Sequence, residues 1–270
     1  MSRGQISDAK LSQLSRKLPD IADLTNRVGR LSSDLVSMRF GPGSRIPIAG
    51  VCLNDSVSLI NDAIYALREA FAHEVWYREE SSTPNDATAN YFMKFYCDDA
   101  ALRMYAAAEH LASAIVEMLE IEYKLLKQER LKSTSLASLV GNHLIRKQPT
   151  HLITSAVVKL VNSKGWTRSM DYRNKWVHEQ PPMLSGFGIQ WHRRERWQEI
   201  ETGDAVTGHK LSFGGKGDKP DYSVQELRSF VEEGLFSLVQ TFSDVTDYFI
   251  ELLAAKGISL THTGMTGIFP

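Results

Sequence analysis

The sequence predicts an all-α protein, an antiparallel bundle of long helices with a small β-hairpin insertion near residues 186–215. Apolar residues recur at intervals of three and four over most of the 270 positions, which is the spacing of one helix face. Prolines and glycines interrupt this spacing between helices, for example at Pro19, Pro84 and Gly165. A loose alternation of apolar and polar residues, typical of strands, occurs between Pro182 and Pro220.

The first forty residues predict a helical segment with one break. Its apolar face is formed by Leu11, Leu14, Leu18, Ile21, Val28, Leu31, Leu35 and Met38. Pro19 predicts a break near Leu18, because proline lacks the amide hydrogen that a helix interior needs. The stripe can dock on the protein's own core or pair with another chain, and we favour docking. Glycine and proline at the start of residues 41–50 predict a linker, which separates an N-terminal segment (1–40) from a main helical domain (51–270).

Two long helices are predicted next. The first is capped by Asn54 or Asp55 and extends to about Glu80. The second covers residues 88–130, and its N-terminal half carries aromatic side chains, which at helical spacing are usually core residues. We therefore expect burial of Tyr91, Phe92, Phe95, Tyr96 and Tyr105.

Three shorter helices, the hairpin and a last long helix complete the predicted bundle. The shorter helices cover residues 135–146, 150–163 and 166–180, with Gly165 ending the second of them. The hairpin turns near residues 202–204. Ser223 and Glu226 form the capping-box pattern that begins the last helix, and Gly257 ends it.

Composition limits the functions that are expected. Hydrophobic residues at 43% and charged residues at 23% are typical of a globular protein with a substantial core. The formal net charge of -1 argues against a nucleic-acid footprint over the whole surface, so any contact with RNA must be local. No apolar run approaches the ~20 residues that span a bilayer, and the polar N-terminus does not resemble a secretory signal. We expect no membrane partner, a cytoplasmic location, and inert, buried thiols at Cys52 and Cys97.

Neither a metal site nor a cofactor is expected. The chain has no Cys/His cluster with ligand spacing, and the neighbouring Asp98 and Asp99 point apart on a helix. The glycine-rich residues 214–217 do not lie between a strand and a helix, as a phosphate-binding loop must.

The most specific functional signal is the stretch RNKWVH, residues 173–178. On a helix Asn174 and His178 share a face and Arg173 lies beside it, so a guanidinium, an amide and an imidazole surround a small volume. These groups can clamp a phosphate and transfer a proton beside it. Similar spacings occur at Arg68/His73, Arg103/His110 and Arg146/His151. None of these has an amide directly after the arginine, and Pro149 interrupts the last, so Arg173, Asn174 and His178 are the candidate catalytic residues.

This stretch resembles the signature of the HEPN superfamily, all-helical domains marked by an arginine, a polar residue and a histidine after four to six residues. The resemblance implies either a metal-independent ribonuclease or toxin, usually a dimer, or a catalytically silent module that binds nucleic acid or a protein. It covers the motif and its helical surroundings. Some toxin members carry a tyrosine two residues after the histidine, where this chain has Gln180, so regulation through that tyrosine is not expected.

A second candidate RNA-binding region follows the motif. Trp191 and Trp197 flank a mainly basic stretch, residues 192–196, a combination suited to phosphates and unpaired bases. The candidate contacts with RNA are Lys175, which belongs to the motif, and Trp191, Arg193, Arg194 and Arg196 in this region. The alternative, which we slightly favour for this region, is a solvated hairpin with ordinary cross-strand pairs.

Two functions stay open. Cleavage of RNA by its own 2′-hydroxyl needs a base, an acid and a cation at the phosphate, and a homodimer would supply two copies each of His178 and Arg173. A toxin of this kind also implies an antitoxin or regulatory protein as a partner. The alternative is a non-catalytic helical module that binds RNA or a partner protein, which the near-neutral net charge favours.

Overall fold

A computed structural model of the chain describes residues 6, 10, 12–13, 16–128, 135–178, 182–185, 196–202, 205–212, 220–258 and 260. Within these ranges the chain forms a bundle of eight α-helices with a small β insertion, which confirms the predicted fold class. The helices are α1 (Ala22–Ser37), α2 (Ile46–Val75), α3 (Asp86–Met118), α4 (Tyr123–Gln128), α5 (Leu136–Lys147), α6 (Leu152–Asn162), α7 (Lys164–His178) and α8 (Val224–Ala255). A π-helical turn, Trp76–Glu80, extends α2. The strands are β1 (Leu184–Ser185), β2 (Arg196–Thr202), β3 (Ala205–Ser212) and β4 (Tyr222–Ser223).

The antiparallel pair α2 and α3 forms the centre of the bundle. Ser56 Oγ donates to Ala107 O at 2.9 Å, and beyond the other end of α2 Arg78 Nη2 donates to the Asn90 side chain at 2.7 Å. Helix α8 packs on both, and α1 covers α2. The largest side chains of the shared core include Phe71, Tyr172, Phe230, Phe242 and Phe249.

Helix α1 docks on the core of its own chain, as favoured from the sequence. Val28 and Leu31 are fully buried in the same apolar cluster as α2, α3 and α8. Gly50 allows the close approach of α1, because a Cβ at this position would lie 2.4 Å from Leu35 Cδ1. Gly50, the last residue of the predicted linker, therefore lies at a helix contact.

The start of α2 differs from the prediction. The helix begins at Ile46, so residues 46–50 are helical and the predicted cap at Asn54 or Asp55 is wrong. Pro47 lies in the first turn, where its missing amide hydrogen removes no hydrogen bond. Pro47, within the predicted linker, therefore belongs to the first turn of the helix.

Helix α3 ends at Met118 rather than near residue 130. Glu120 adopts a left-handed φ of 53°, and Ile121 N donates to Val116 O at 2.9 Å across the turn. Glycine usually occupies such a helix-ending position, since other residues are disfavoured there. The chain uses a glutamate, so the helix end carries no recognisable signal in the sequence.

The aromatic residues of α3 do not form core as predicted. Tyr91 and Phe95 are 56% and 54% exposed, and the other three are half-buried. The buried face of this part of the helix carries smaller side chains, namely Ala89, Met93, Cys97 and Ala100. Their three-four spacing is that of the core face, and the larger rings lie beside it or on the surface.

Helices α7 and α8 lie in close contact. A Cβ on Gly165 would lie 2.4 Å from Glu233 Cβ and 2.6 Å from Gly234 N. Ser169 Oγ lies within hydrogen-bond distance of two carbonyls, 2.7 Å from Gly165 O and 2.9 Å from Phe230 O. Gly165, predicted to end the preceding helix, instead lies in the first turn of α7.

The β insertion leaves the bundle after α7 and returns before α8. Strands β2 and β3 pair antiparallel, from Arg196 opposite Ser212 to Thr202 opposite Ala205, so the predicted hairpin is confirmed. Strands β1 and β4 pair in parallel, with Leu184 opposite Tyr222. These two-residue strands are too short to show a period in the sequence. The predicted capping box of Ser223 and Glu226 is present at the start of α8.

Candidate active site

The candidate motif lies on the last turns of α7. The buried face of this helix carries Gly165, Trp166, Ser169 and Tyr172 at helical spacing. Asn174, Lys175 and His178 are exposed, and Arg173 is half-buried. Packing of the buried face against α8 and α3 therefore fixes the backbone while the motif side chains reach the surface.

The structure brings the three predicted catalytic side chains together. Arg173 Nη1 donates to Asn174 Oδ1 at 3.0 Å and lies 3.1 Å from His178 Nε2. A guanidinium has only donors, so Nε2 is the acceptor and a neutral imidazole carries its proton on Nδ1. A nitrogen that can accept a proton thus lies beside a fixed positive charge.

The ring of Tyr105, on α3, stacks against the guanidinium of Arg173. Arg173 Cζ lies 3.8 Å from the centroid of this ring, within the range of cation–π contacts. Arg173 Nε is shielded from solvent and has no hydrogen-bond partner among the described residues. The sequence did not indicate this role of Tyr105, because no spacing rule connects residues of two different helices.

A buried polar cluster joins α7 to α3 directly behind the motif. The Tyr172 hydroxyl donates to Asp98 Oδ1 at 2.6 Å, and Lys94 Nζ donates to the other oxygen of this carboxylate. Burial raises the pKa of Asp98 above its ordinary value, although Lys94 and Tyr172 favour the ionised form. Burial and the Asp98 carboxylate both raise the pKa of Tyr172. The cluster therefore keeps Tyr172 protonated as a donor and anchors the residue next to Arg173.

A cavity of about 420 Å³ opens beside the motif. Arg173, Asn174 and His178 form part of its lining, and most of the other walls are aliphatic side chains from α3, α5 and α6. Ligand sites in proteins commonly have volumes of roughly 300–1,000 Å³. The cavity was not predicted, since its walls come from residues that are distant in the sequence.

The pair Arg68/His73 forms no comparable site. His73 is buried among the rings of Tyr77, Phe92 and Tyr96, and its Nδ1 lies 2.9 Å from Glu69 O. Arg68 lies over the Tyr65 ring instead.

The other two Arg–His pairs are also engaged elsewhere. Arg103 forms ion pairs with Asp62 and Asp99, and His110 lies near Asp55. His151 accepts from Ile153 N and so caps α6. Among the described residues, the motif at 173–178 is the one copy whose arginine and histidine are in hydrogen-bond contact.

The structure describes two of the five candidate RNA-binding residues. Lys175 is exposed on α7, and Arg196 is described only through its backbone in β2. Trp191, Arg193 and Arg194 lie outside the described residues, as does Gln180. Contact of these residues with RNA stays a prediction.

The cysteines follow the prediction in part. Cys97 is fully buried, and burial raises the pKa of its thiol, so it is inert as predicted. Cys52 is only half-buried, because it lies at the edge of the α2 core face, and burial raises the pKa of its thiol as well.

In the parts of the chain that the structure describes, no three His, Cys, Asp or Glu side chains are arranged to hold a metal ion. None of the described helices is both long and apolar enough to cross a lipid bilayer.

No family model, no curated protein and no solved structure matches this chain. Its function has to be inferred from the geometry of the site.

Proposed function

We propose that this chain is a metal-independent endoribonuclease of HEPN type that acts as a homodimer. The contact of Arg173 Nη1 with both Asn174 Oδ1 and His178 Nε2, at 3.0 and 3.1 Å, supports the proposal best. It holds a cation beside a proton-accepting imidazole at the surface. Cleavage of RNA needs both groups at one phosphate. An antitoxin or regulatory protein is a further expected partner, since an unrestrained ribonuclease damages its own cell.

The proposed reaction is a transesterification at phosphorus. The ribose 2′-oxygen bonds to the adjacent phosphorus and the bond to the 5′-oxygen breaks, which leaves a 2′,3′-cyclic phosphate and a free 5′-hydroxyl. His178 of one protomer takes the proton from the 2′-oxygen, and His178 of the second protomer donates a proton to the leaving 5′-oxygen. The Arg173 side chains meet the charge that develops on the phosphate oxygens, and Asn174 orients them.

A second protomer is needed because one motif supplies one histidine for two proton transfers. Exposed apolar side chains on α6, α7 and α8 suit self-association. Val161, Val177 and Phe236, on α6, α7 and α8, are 44%, 42% and 45% exposed. Val177 directly precedes His178, so a dimer contact through it brings two motifs close together.

Light scattering and RNA cleavage by the purified protein test the proposal. We expect a mass near twice 30.4 kDa and cleavage of single-stranded RNA. His178→Ala and Arg173→Ala are each expected to lower the cleavage rate by about 10²–10⁴-fold at unchanged helix content, since each removes a group that acts on the reacting atoms.

His110→Ala is the matched control, because His110 also follows an arginine on a helix but lies near Asp55 instead of that arginine. This variant should keep the wild-type rate. A monomer at every concentration, or loss of cleavage in a folded His110→Ala variant, would contradict the proposal.

The second candidate function is a non-catalytic helical module that binds RNA or a partner protein through the same surface. The aliphatic cavity beside the motif favours it, because phosphodiester cleavage does not need such a cavity. A pure dimer that binds single-stranded RNA and never cleaves it would identify this function. Its affinity should fall with salt, since the contacts are to phosphates.

A further inference from the structure

The cavity beside the motif is walled mainly by apolar side chains. Leu111 of α3, Val140 of α5 and Leu160 of α6 form part of this surface. The exposed His178 also lines the cavity, so it opens to solvent at the motif. Well-packed cores leave few voids larger than a water molecule. An open, aliphatic cavity of about 420 Å³ is therefore better explained as space for a ligand than as loose packing.

Two of the hydroxyl groups in the cavity wall already donate hydrogen bonds within the protein. Thr241 Oγ1 donates to Ser237 O at 3.0 Å, and Ser135 Oγ donates to the Glu109 carboxylate. A nucleobase placed here would leave several ring nitrogens and exocyclic groups without partners, which is unfavourable in an apolar site. The walls thus favour an occupant with a hydrocarbon body.

Arg173 supplies the complementary polar end. Its Nη1 is engaged by Asn174 and His178 and its Nε is shielded from solvent, whereas Nη2 has no hydrogen-bond partner among the described residues. A carboxylate that accepts from Nη2 forms a charge-assisted hydrogen bond with the guanidinium. A ligand with a carboxylate head and an apolar body therefore matches both the cavity and Arg173.

We propose that the cavity binds a small amphipathic carboxylate, with the carboxylate on Arg173 and an alkyl chain among the aliphatic walls. One water-sized group occupies about 30 Å³, so 420 Å³ has room for a chain of about ten carbons with some space remaining. The ligand occupies the groups that RNA phosphates would use, so it also competes with RNA at this surface.

Calorimetric titration with decanoate, in the absence of RNA, tests the proposal. We expect one decanoate bound per chain. Decanol lacks the carboxylate and butyrate lacks most of the alkyl chain, so both should bind more weakly than decanoate. Arg173→Gln should lower the affinity for decanoate about ten- to a hundredfold and leave the affinity for decanol almost unchanged, as expected for loss of charge-assisted hydrogen bonds.

Gly141→Leu provides an independent test that fills the cavity. A Cβ on Gly141 meets only Val157 Cγ1, at 3.4 Å, so the helix backbone tolerates a side chain there. This variant should weaken decanoate and decanol alike. Gly29→Leu on α1, where a Cβ meets nothing within 4 Å, is the matched control and should bind both ligands as the wild type does.

Three outcomes would overturn the proposal: no saturable binding of decanoate, an equal effect of Arg173→Gln on decanoate and decanol, or binding that Gly141→Leu leaves unchanged. Each is read without RNA, so the result does not depend on whether the chain is a ribonuclease.

Discussion

Arg173 is restrained by its neighbours before any substrate binds. The Tyr105 ring lies under its guanidinium, and Asn174 and His178 contact one of its nitrogens. A long side chain loses conformational entropy when it is fixed on a ligand. Because stacking and hydrogen bonding restrict Arg173 beforehand, less entropy remains to be lost on binding phosphate. Tyr105 is thus a positioning residue for the proposed reaction.

Substitution of Tyr105 separates stacking from its hydroxyl group. Tyr105→Phe keeps an aromatic face under Arg173, so the rate of RNA cleavage should stay near the wild-type value. Tyr105→Leu removes the aromatic face, and we expect the rate of RNA cleavage to fall about three- to thirtyfold, which corresponds to the energy of a cation–π contact. Single-turnover cleavage at saturating enzyme measures the rates of both variants. A Tyr105→Phe variant as slow as Tyr105→Leu would show that the hydroxyl, and not the stack, matters.

The buried Asp98 gives the stability of the fold a specific dependence on pH. Burial raises its pKa in the folded protein above the ordinary value of 3.8, so the folded state holds this proton more tightly than the unfolded chain does. Its contribution to stability is therefore complete below about pH 3.8 and is lost as the pH rises through the raised pKa.

Asp98→Asn removes this titration. The free energy of unfolding of the wild type minus that of the variant should fall as the pH rises above about 3.8, measured by urea denaturation at each pH. A difference that instead rises with pH would mean that Lys94 and Tyr172 outweigh burial and lower the pKa of Asp98.

At the scale of secondary-structure elements, the contact of α7 with α8 determines where the motif lies. Gly165→Ala places a Cβ 2.4 Å from Glu233 Cβ and 2.8 Å from the Glu233 carbonyl carbon, so the helices must separate. We expect a loss of about 1–3 kcal/mol in the free energy of unfolding, as for overpacked cores. Urea denaturation measures it.

Gly29→Ala is the control for helix propensity, because Gly29 is also helical but a Cβ there meets nothing within 4 Å. This variant should be more stable than the wild type by about 0.5–1 kcal/mol. If Gly165→Ala were stabilising to the same extent, the close contact of α7 and α8 would be refuted.

Elements with a long, regular apolar spacing or a strong cap could be predicted from the sequence. Helix α8, with its Ser223–Glu226 capping box, is the clearest example, and the hairpin of β2 and β3 followed from a looser alternation. Features decided by tertiary contact could not be predicted. Residues 46–50, predicted as part of a linker, begin α2, and Glu120 ends α3 without the usual glycine.

The candidate site likewise has features that the sequence predicts and features that depend on tertiary contacts. The clustering of Arg173, Asn174 and His178 follows from helical spacing within one element. The support from Tyr105, the anchor at Asp98 and the cavity involve residues of other helices, which one sequence does not connect.

At the scale of the whole molecule, charge and topology limit where RNA can bind. The net charge of -1 means that attraction to phosphate must come from a local group of basic residues. The β insertion starts at β1, a few residues beyond His178, and returns at β4. The basic and aromatic residues at 191–196 follow the motif closely in the sequence, and their contact with RNA stays a prediction.

The chemical ends of the RNA products test the central claim most directly. Purified protein is incubated with a single-stranded RNA in EDTA, and the new ends are identified by mass spectrometry, with a substrate carrying a 2′-deoxy sugar at the cut site as the control. Because the proposed reaction uses His178 and Arg173 on the 2′-hydroxyl and the phosphate, we expect cleavage to persist in EDTA, to leave a 2′,3′-cyclic phosphate and a 5′-hydroxyl, and to stop at the 2′-deoxy position. Cleavage that requires Mg²⁺ and leaves 5′-phosphates, or no cleavage of any RNA, would contradict this account.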